Sequence, residues 1–341
     1  MEIRPLSAAS KRIGVLGAGS WGTALALHLG RNGHAVDLWG RDPGLVSEMA
    51  RARSNERYLS GHVFADSVKP TADLKTALRD IELLVVVVPS HAFRETLEIS
   101  VKQTTTPFEI VWGTKGFDPG SGALLHEVAG RLLPRGSKMA VLSGPTFAAE
   151  VAAGFPAAVT VASQHEHFAA QVAGVFHSPR FRVYTSEDMI GVQAAGAVKN
   201  VLAVAAGIAD GLGFGANTRA ALVTRGLAEL VRLGTAFGGR QETFMGLAGL
   251  GDLVLSCTDD QSRNRRFGLA LARGMSVDAA VASVGQVVEG AETTRQVMRA
   301  GQRLGVELPI VEQVYRVIYD DRPPLEAVNA LLGRPRGSEG V

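Results

Sequence analysis

One cysteine, Cys257, stands alone in 341 residues. It has no partner for an internal disulfide and no companions for a Cys-rich metal site, and a chain so poor in thiols suits a reducing compartment. Net charge is scarce too: 35 Lys+Arg against 33 Asp+Glu leave +2, too even a balance for a dedicated nucleic-acid binder. Aromatic residues reach only 6% against forty glycines, which points to tight turns and close backbone packing. Long unbroken apolar runs are missing. Leu83–Val88 is too short to span a membrane, and Met189–Ala209 is interrupted by Gln193, Lys199 and Asn200. The opening MEIRPLSAAS lacks the apolar stretch of a secretory signal. The eight histidines show no ligand-like spacing apart from His165 and His167, at the start of a surface helix. The expectation is a cytoplasmic protein with no membrane span, no nucleic-acid partner and no metal.

What is present suits a globular chain. Hydrophobic residues make up 46% and charged residues 20%, enough for a sizeable core and not the composition of disorder or collagen. The length suggests two domains. From Lys11 to Asp188, short β-branched runs alternate with amphipathic or Ala-rich segments. Strands are predicted over Arg12–Leu16, Ala35–Trp39, Leu83–Val88, Glu109–Trp112, Met139–Leu142 and Ala157–Ala162. Their near-continuous apolar character is that of a parallel sheet covered on both faces. Helices between them predict a doubly wound α/β domain, residues 11–188. After Asp188 only helical patterns follow, with Gly or Pro between most of them, which predicts an all-helical domain over 189–335. The closing residues 336–341 read as a frayed tail.

The strongest local signal is Gly17-Ala18-Gly19-Ser20-Trp21-Gly22, directly after the strand RIGVL and opening the helix WGTALALHL. In that context Gly17 permits the tight turn, Gly19 lets a pyrophosphate approach the backbone, and Gly22 lets helix and strand pack closely. The helix N-terminus adds unpaired N–H groups for the phosphates. The second strand ends Trp39-Gly40-Arg41-Asp42. A guanidinium at Arg41 suits a 2′-phosphate, while Asp42, next to Pro43, either meets a ribose or caps the following helix. NADP(H) is favoured and NAD(H) stays open.

Lys199 is the only charged residue between Asp188 and Asp210. Desolvation there would favour its neutral amine and bring it into the range useful for proton transfer. Read from this helix alone, Lys199 is either that amine or a snorkelling ammonium that reaches water. The glycine-rich turn GLAGLGDL presents Asp252, able to hold a buried ammonium, and Ser262-Arg263-Asn264 offers a phosphate cradle. Arg265 and Arg266 read as a charged helix start on the surface. Two loops would lie at the carboxyl ends of strands: Gly113-Thr-Lys115-Gly, and Ser143-Gly144-Pro145-Thr146. Lys115 could neutralise an anion, and Gly144 and Thr146 could offer an N–H and a hydroxyl. Cys257 reads as a small packing residue near this region.

Assembled, the chain resembles the bacterial-type NAD(P)-dependent glycerol-3-phosphate dehydrogenases. The resemblance rests on GAGSWGTALA, NERYLSGH, GTKGF, LSGPTFAAEVAAGFPAAV, GAVKNVLAVAAGIADGLGFGANTRAAL, GLAGLGDLVLSCTDDQSRNRRFG and VVEGAETT, in order over nearly the whole chain. It implies a Rossmann-type domain followed by a helical domain like the C-terminal one of 6-phosphogluconate dehydrogenase. It implies that Ser20, Trp21, Arg41 and Lys115 contact the cofactor, with Ala148, Arg263, Val287 and Glu289 nearer its nicotinamide and ribose. It further implies that Lys115, Gly144, Thr146, Lys199, Asp252, Ser262, Arg263 and Asn264 surround sn-glycerol 3-phosphate or dihydroxyacetone phosphate, with Lys199 as proton acceptor. The family also implies a homodimer that serves phospholipid synthesis. Thr146 stands where many relatives carry serine, and the segment Phe117–Gly122 is unusual after GTKG and is expected to adjust only a loop. A dehydrogenase for a 3-hydroxy acid or 6-phosphogluconate would share the layout without the GLGDL turn and the SRNRR run. A redox-sensing module would bind NADP(H) tightly without turnover.

Overall fold

The computed structural model describes residues 10–104 and 106–334; the expected tail, 336–341, lies outside them, as does residue 335. Ten strands occur among the described residues: β1 (Arg12–Leu16), β2 (Ala35–Trp39), β3 (Ser54–Asn55), β4 (Leu59–Val63), β5 (Val68–Thr71), β6 (Leu83–Val86), β7 (Glu109–Trp112), β8 (Lys138–Ser143), β9 (Ala157–Ala162) and β10 (Phe181–Ser186). Helices α1 (Ser20–Arg31), α2 (Pro43–Ala52), α3 (Leu74–Ala77), α4 (Ser90–Val101), α5 (Leu125–Leu132), α6 (Ala148–Ala153) and α7 (Glu166–Phe176) connect most of them. Eight strands form one sheet in the order β10-β9-β8-β7-β6-β1-β2-β5, and β3 and β4 make a separate antiparallel pair. The strands from β5 to β8 are parallel, with β1 at the point where the chain order reverses. This is the Rossmann-type arrangement.

Two features depart from the sequence expectation. The sheet is mixed rather than parallel, because β9 runs antiparallel to β8, and β10 then follows β9 in parallel. The connection from β8 to β9 carries only the six-residue α6. That is too little for a crossover, so the chain turns back instead. The second departure is the edges. β5 (VKPT) and β10 (FRVYTS) escaped notice because neither is a continuous apolar run. An edge strand is buried less, and β5 tolerates Pro70 because its outer N–H groups need no partner.

From α8 (Met189–Gly211) onward the chain is helical: α9 (Ala216–Ala236), α10 (Gln241–Phe244), a π-helical turn Leu247–Gly251, α11 (Asp252–Thr258), α12 (Arg263–Ala272), α13 (Val277–Val284), α14 (Glu289–Leu304), α15 (Pro309–Tyr319) and α16 (Pro324–Leu332). α8 has the length and apolar character of a membrane span, yet most of it lies buried at the centre of this bundle, against α9, α11, α12, α14 and α15. Small residues make that possible. A Cβ on Gly207 would stand 2.0 Å from the Arg265 carbonyl oxygen, and one on Gly268 2.2 Å from that of Val204, so α8 and α12 touch backbone to backbone. Asp188 caps α8 through the Gly191 N–H (2.8 Å), and its other oxygen takes the Arg240 N–H (2.8 Å) and the Thr243 hydroxyl (2.6 Å). The join between sheet and bundle is thereby pinned.

The bundle's core also includes Phe117 and Leu124, which precede α8 by many residues. They bridge to each other, and Phe117 stacks on Phe237 at 5.7 Å between centroids. Between them Asp118, buried, accepts bidentate bonds from Arg94 (3.0 and 2.9 Å) and further bonds from the Ser121 N–H and hydroxyl. Arg94 and Ser121 hold the Asp118 carboxyl down at about 2. The FDPGSG segment is therefore a clasped plug in the helical core, and more than a surface loop adjustment.

Glu229 on α9 is buried and accepts the Ile310 and Val311 N–H groups (2.7 and 3.2 Å), closing the N-terminus of α15. Burial outweighs those donors and pushes its carboxyl up from 4.5 to about 7. The folded state then binds the extra proton between those values, so stability falls as pH rises through that window. Urea titrations of the Glu229→Gln variant between pH 4.5 and 7 should lose this slope. Glu229→Ala should lower stability at all pH values by about 1–3 kcal/mol, from the two unpaired N–H groups.

Candidate active site

β1 feeds the glycine loop. Gly17 adopts φ +117°, and a Cβ there would stand 2.8 Å from the Val87 carbonyl oxygen. One on Gly22 would stand 1.8 Å from the Gly17 carbonyl oxygen, so α1 packs onto its own turn. Around Gly19 the nearest 4 Å is empty, and no side chain caps α1. An open glycine beneath uncapped N–H groups fits a pyrophosphate. Ser20 donates its hydroxyl proton to the Tyr58 carbonyl (2.8 Å) and also meets Gln286 Oε1 at 3.3 Å. Trp21 lies against Gly113, where a Cβ would come within 2.7 Å of its Nε1. At the end of β2, Asp42 caps α2 through the Gly44 and Leu45 N–H groups (2.9 and 3.3 Å). Arg41 is exposed beside it, with no hydrogen bond or ion pair among the described residues.

β7 delivers the Lys115 loop. The Thr114 hydroxyl donates to the Val88 carbonyl (2.8 Å), and Gly116 at φ +125° turns the chain beside Ser90. The Lys115 stem crosses Gly196 of α8, where a Cβ would lie 3.5 Å from its Cγ. Gly196 is three residues before Lys199, so both lie on one face of α8. Lys199 donates to Asp252 Oδ1 (3.0 Å) and Ser256 Oγ (2.7 Å), and Lys115 binds the other oxygen, Oδ2. Asp252 is 1% exposed and shared by two ammonium groups from opposite sides. Its carboxyl is lowered by the two lysines despite its burial. Desolvation dominates at Lys199, aided by Lys115 and opposed by Asp252, and brings it down to about 8.

The third wall is the bundle. Ser262 caps α12 by accepting the Arg265 N–H (3.3 Å), Arg263 donates to the Val287 carbonyl (3.1 Å), and Asn264 accepts the Gly290 N–H (2.9 Å). Glu289 opens α14, and burial raises its carboxyl against the pull of Arg263, Lys199 and Lys115. Gly144 is required because β9 passes behind it: a Cβ would stand 2.9 Å from the Val159 Cα. Thr146 turns its hydroxyl to the Gly144 carbonyl (3.3 Å), and Ala148 begins α6. Three buried polar atoms, Ser143 Oγ, Asn200 Nδ2 and Thr293 Oγ1, have no hydrogen-bond partner among the described residues. Ser143 Oγ would lie 3.2 Å from a Cβ on Gly196, and Asn200 follows Lys199 in the chain. Unpaired polar groups of this kind around a charged centre fit a polar ligand.

One sequence expectation is overturned here. Arg265 is no surface residue: it is buried and paired with Asp210 (2.6 Å) and Asp260. The glycine-rich turn is π-helical over Leu247–Gly251 and runs directly into α11. That winding sets Ser256, which the sequence reading does not single out, one helical turn after Asp252, where it completes the Lys199 contacts. Cys257 is fully buried in the bundle core, and burial pushes its thiol up to about 12. Among the described residues no three His, Cys, Asp or Glu side chains gather as a metal site.

Known proteins match over nearly the whole chain. The model of the NAD-dependent glycerol-3-phosphate dehydrogenase N-terminus matches residues 12–169, and that of the C-terminus residues 188–329. Glycerol-3-phosphate dehydrogenase [NAD(P)+] of Thioalkalivibrio sulfidiphilus is 57% identical over 327 residues, 96% of this chain and 98% of its own. The enzyme of that name from Pseudoalteromonas translucida is 54% identical, over 98% of this chain and 100% of its own. The crystal structure of glycerol-3-phosphate dehydrogenase from Coxiella burnetii superposes with a TM-score of 0.93 at 48% identity, covering 95% of this chain and 99% of that one. Two domain models in tandem, close relatives over their full length and a shared fold agree: the chain belongs to the NAD-dependent glycerol-3-phosphate dehydrogenase family.

Proposed function

We propose that this protein is an NAD(P)-dependent glycerol-3-phosphate dehydrogenase that interconverts dihydroxyacetone phosphate and sn-glycerol 3-phosphate, supplying the latter to glycerophospholipid synthesis. The observation that carries this reading is the buried Lys115–Asp252–Lys199 array, set between the carboxyl ends of the strands and the helical bundle. A bound nicotinamide cofactor supplies or accepts the hydride at C2 of the substrate. In reduction, the Lys199 ammonium gives a proton to the oxygen on C2. In oxidation, neutral Lys199 takes that proton away. Lys115 lowers the cost of negative charge developing on the same oxygen, an electrostatic effect that works best where water is excluded. Asp252 fixes both ammonium groups, and Arg263, Asn264 and Ser262 hold the phosphate so that C2 stays aligned. Gly144 and Thr146 border the substrate. Gly17, Gly19, Ser20, Trp21 and Gly22 take the pyrophosphate side of the cofactor, with Ala148, Val287 and Glu289 toward its nicotinamide end.

The finer assignments belong to the same reading. The protein works as two units, residues 11–188 and 189–335. NADP(H) is the preferred cofactor because Asp42 is occupied with the α2 cap, which leaves Arg41 to meet a 2′-phosphate. The resemblance to the family supports a cytoplasmic homodimer without metal.

Purified protein with NADPH and dihydroxyacetone phosphate should consume the reduced-nicotinamide absorbance rapidly, and unphosphorylated dihydroxyacetone should not. No oxidation despite cofactor binding would overturn the proposal. The rate of glycerol 3-phosphate oxidation should climb with pH through about 8, as Lys199 loses its proton. In Asp252→Asn that limb should move to lower pH, because the carboxylate that favours the ammonium is gone. Lys199→Ala should lose about a hundredfold or more in kcat, the typical weight of a general acid–base. Gly196→Ala should set a methyl in ordinary contact with the Lys115 stem at 3.5 Å and nearer to Ser143 Oγ at 3.2 Å, and steady-state kinetics should show the pH limb unmoved.

A further inference from the structure

The NERYLSGH segment contributes nothing to the chemistry above, although it lies against the cofactor loop. Asn55, fully buried, donates to the Ala18 carbonyl (2.9 Å) and the Thr23 hydroxyl (2.8 Å). Its Oδ1 accepts the Tyr58 N–H (3.2 Å), and the Tyr58 carbonyl accepts the Ser20 hydroxyl. The turn between β3 and β4 is thus bonded at three points to the glycine loop and α1. That anchoring carries Arg57 to the carboxyl end of β2. Its guanidinium lies over the Tyr58 ring, 5.4 Å from the centroid, and reaches Asp42 Oδ2 at 3.7 Å. The other oxygen of Asp42 is held by the α2 cap. Arg53, two residues before that segment, is spent on the Phe64 carbonyl and the Asp66 carboxylate.

We propose that Arg57 is a second arm of the site for the 2′-phosphate of the adenosine ribose, closing on that group together with Arg41. This rests on the NADP(H) reading and adds to it a residue from a different segment of the chain. Arg57 and Asp42 remain 61% and 56% exposed, and at 3.7 Å their contact is loose. Ion pairs so open to water hold their partners weakly. A phosphate dianion on the ribose offers the guanidinium more charge and a bidentate geometry that Asp42, with one oxygen committed, lacks. The Tyr58 ring holds the guanidinium plane while it exchanges one anion for the other. Asp42 then selects by sign: without a 2′-phosphate it keeps Arg57, and with one it gives Arg57 up.

The test is calorimetric titration of the full-length protein with 2′,5′-ADP and with 5′-AMP, comparing wild type, Arg41→Ala, Arg57→Ala and Arg57→Lys. Wild type should bind 2′,5′-ADP more tightly. Arg57→Ala should cut that preference about tenfold, the scale of one lost charge-assisted hydrogen bond. Arg57→Lys should restore part of it. If Arg41→Ala removes the preference and Arg57→Ala leaves it intact, the role of Arg57 is refuted while the NADP(H) reading stands. If Arg57→Ala weakens both ligands equally, Arg57 only braces its turn and the proposal fails. If wild type binds the two ligands alike, the NADP(H) reading itself falls, and the second arm with it.

Discussion

A carboxylate with an ammonium on each oxygen is an expensive thing to bury. Three charges leave water, and the attraction between them repays that cost only if the geometry is held by everything around it. Asp252 imposes this constraint on the whole molecule. Lys115 arrives from the sheet and Lys199 from the bundle, so the two halves must meet at one carboxyl group to within a few tenths of an ångström. The stem of Lys115 passes over Gly196, and Ser256 accepts a hydrogen bond from Lys199. The array carries one net positive charge in an enclosed place, which suits a substrate whose phosphate and developing alkoxide are both negative. Burial, aided by Lys115 and opposed by Asp252, brings Lys199 down to about 8.

Much of this was legible in the chain. The glycine loop between RIGVL and its helix, the lone charge in α8 and the aspartate after GLAGLG are local signals, each tied to a backbone or solvation requirement that few residues meet. The central strands announced themselves because burial on both faces demands unbroken apolar runs. What escaped was decided by partners distant in sequence. β5 and β10 are strands only because β2 and β9 lie beside them. The reversal of β9 follows from a short connection, which apolar patterning does not register. Ser256 is hidden because six residues, three of them glycine, do not announce the helical winding that sets it one turn beyond Asp252. Arg265 looked like one more surface arginine until Asp210, 55 residues earlier, proved to be its partner.

The division into sheet and bundle is also less clean than the order of elements suggests. Phe117 and Leu124 belong to the first half by sequence and to the second by packing. Arg94 and Asp118 hold the intervening chain closed, immediately after the Lys115 loop. Lys115 is two residues from the anchored Phe117. Its position is therefore referred to the helical core as much as to the strand that delivers it.

That stitch limits how the enzyme can move. If the sheet and the bundle rock against each other when cofactor and substrate enter or leave, the Lys115 loop cannot travel wholly with the sheet. It has to stay seated in the bundle and flex on the strand side, around Gly113 and Thr114. The pivot of any opening then lies beside Lys115 and not at the short connection from β10 into α8, where Asp188 ties three segments together. A hinge so placed would keep Lys115 beside Asp252 while the far ends of the two halves made the larger excursions.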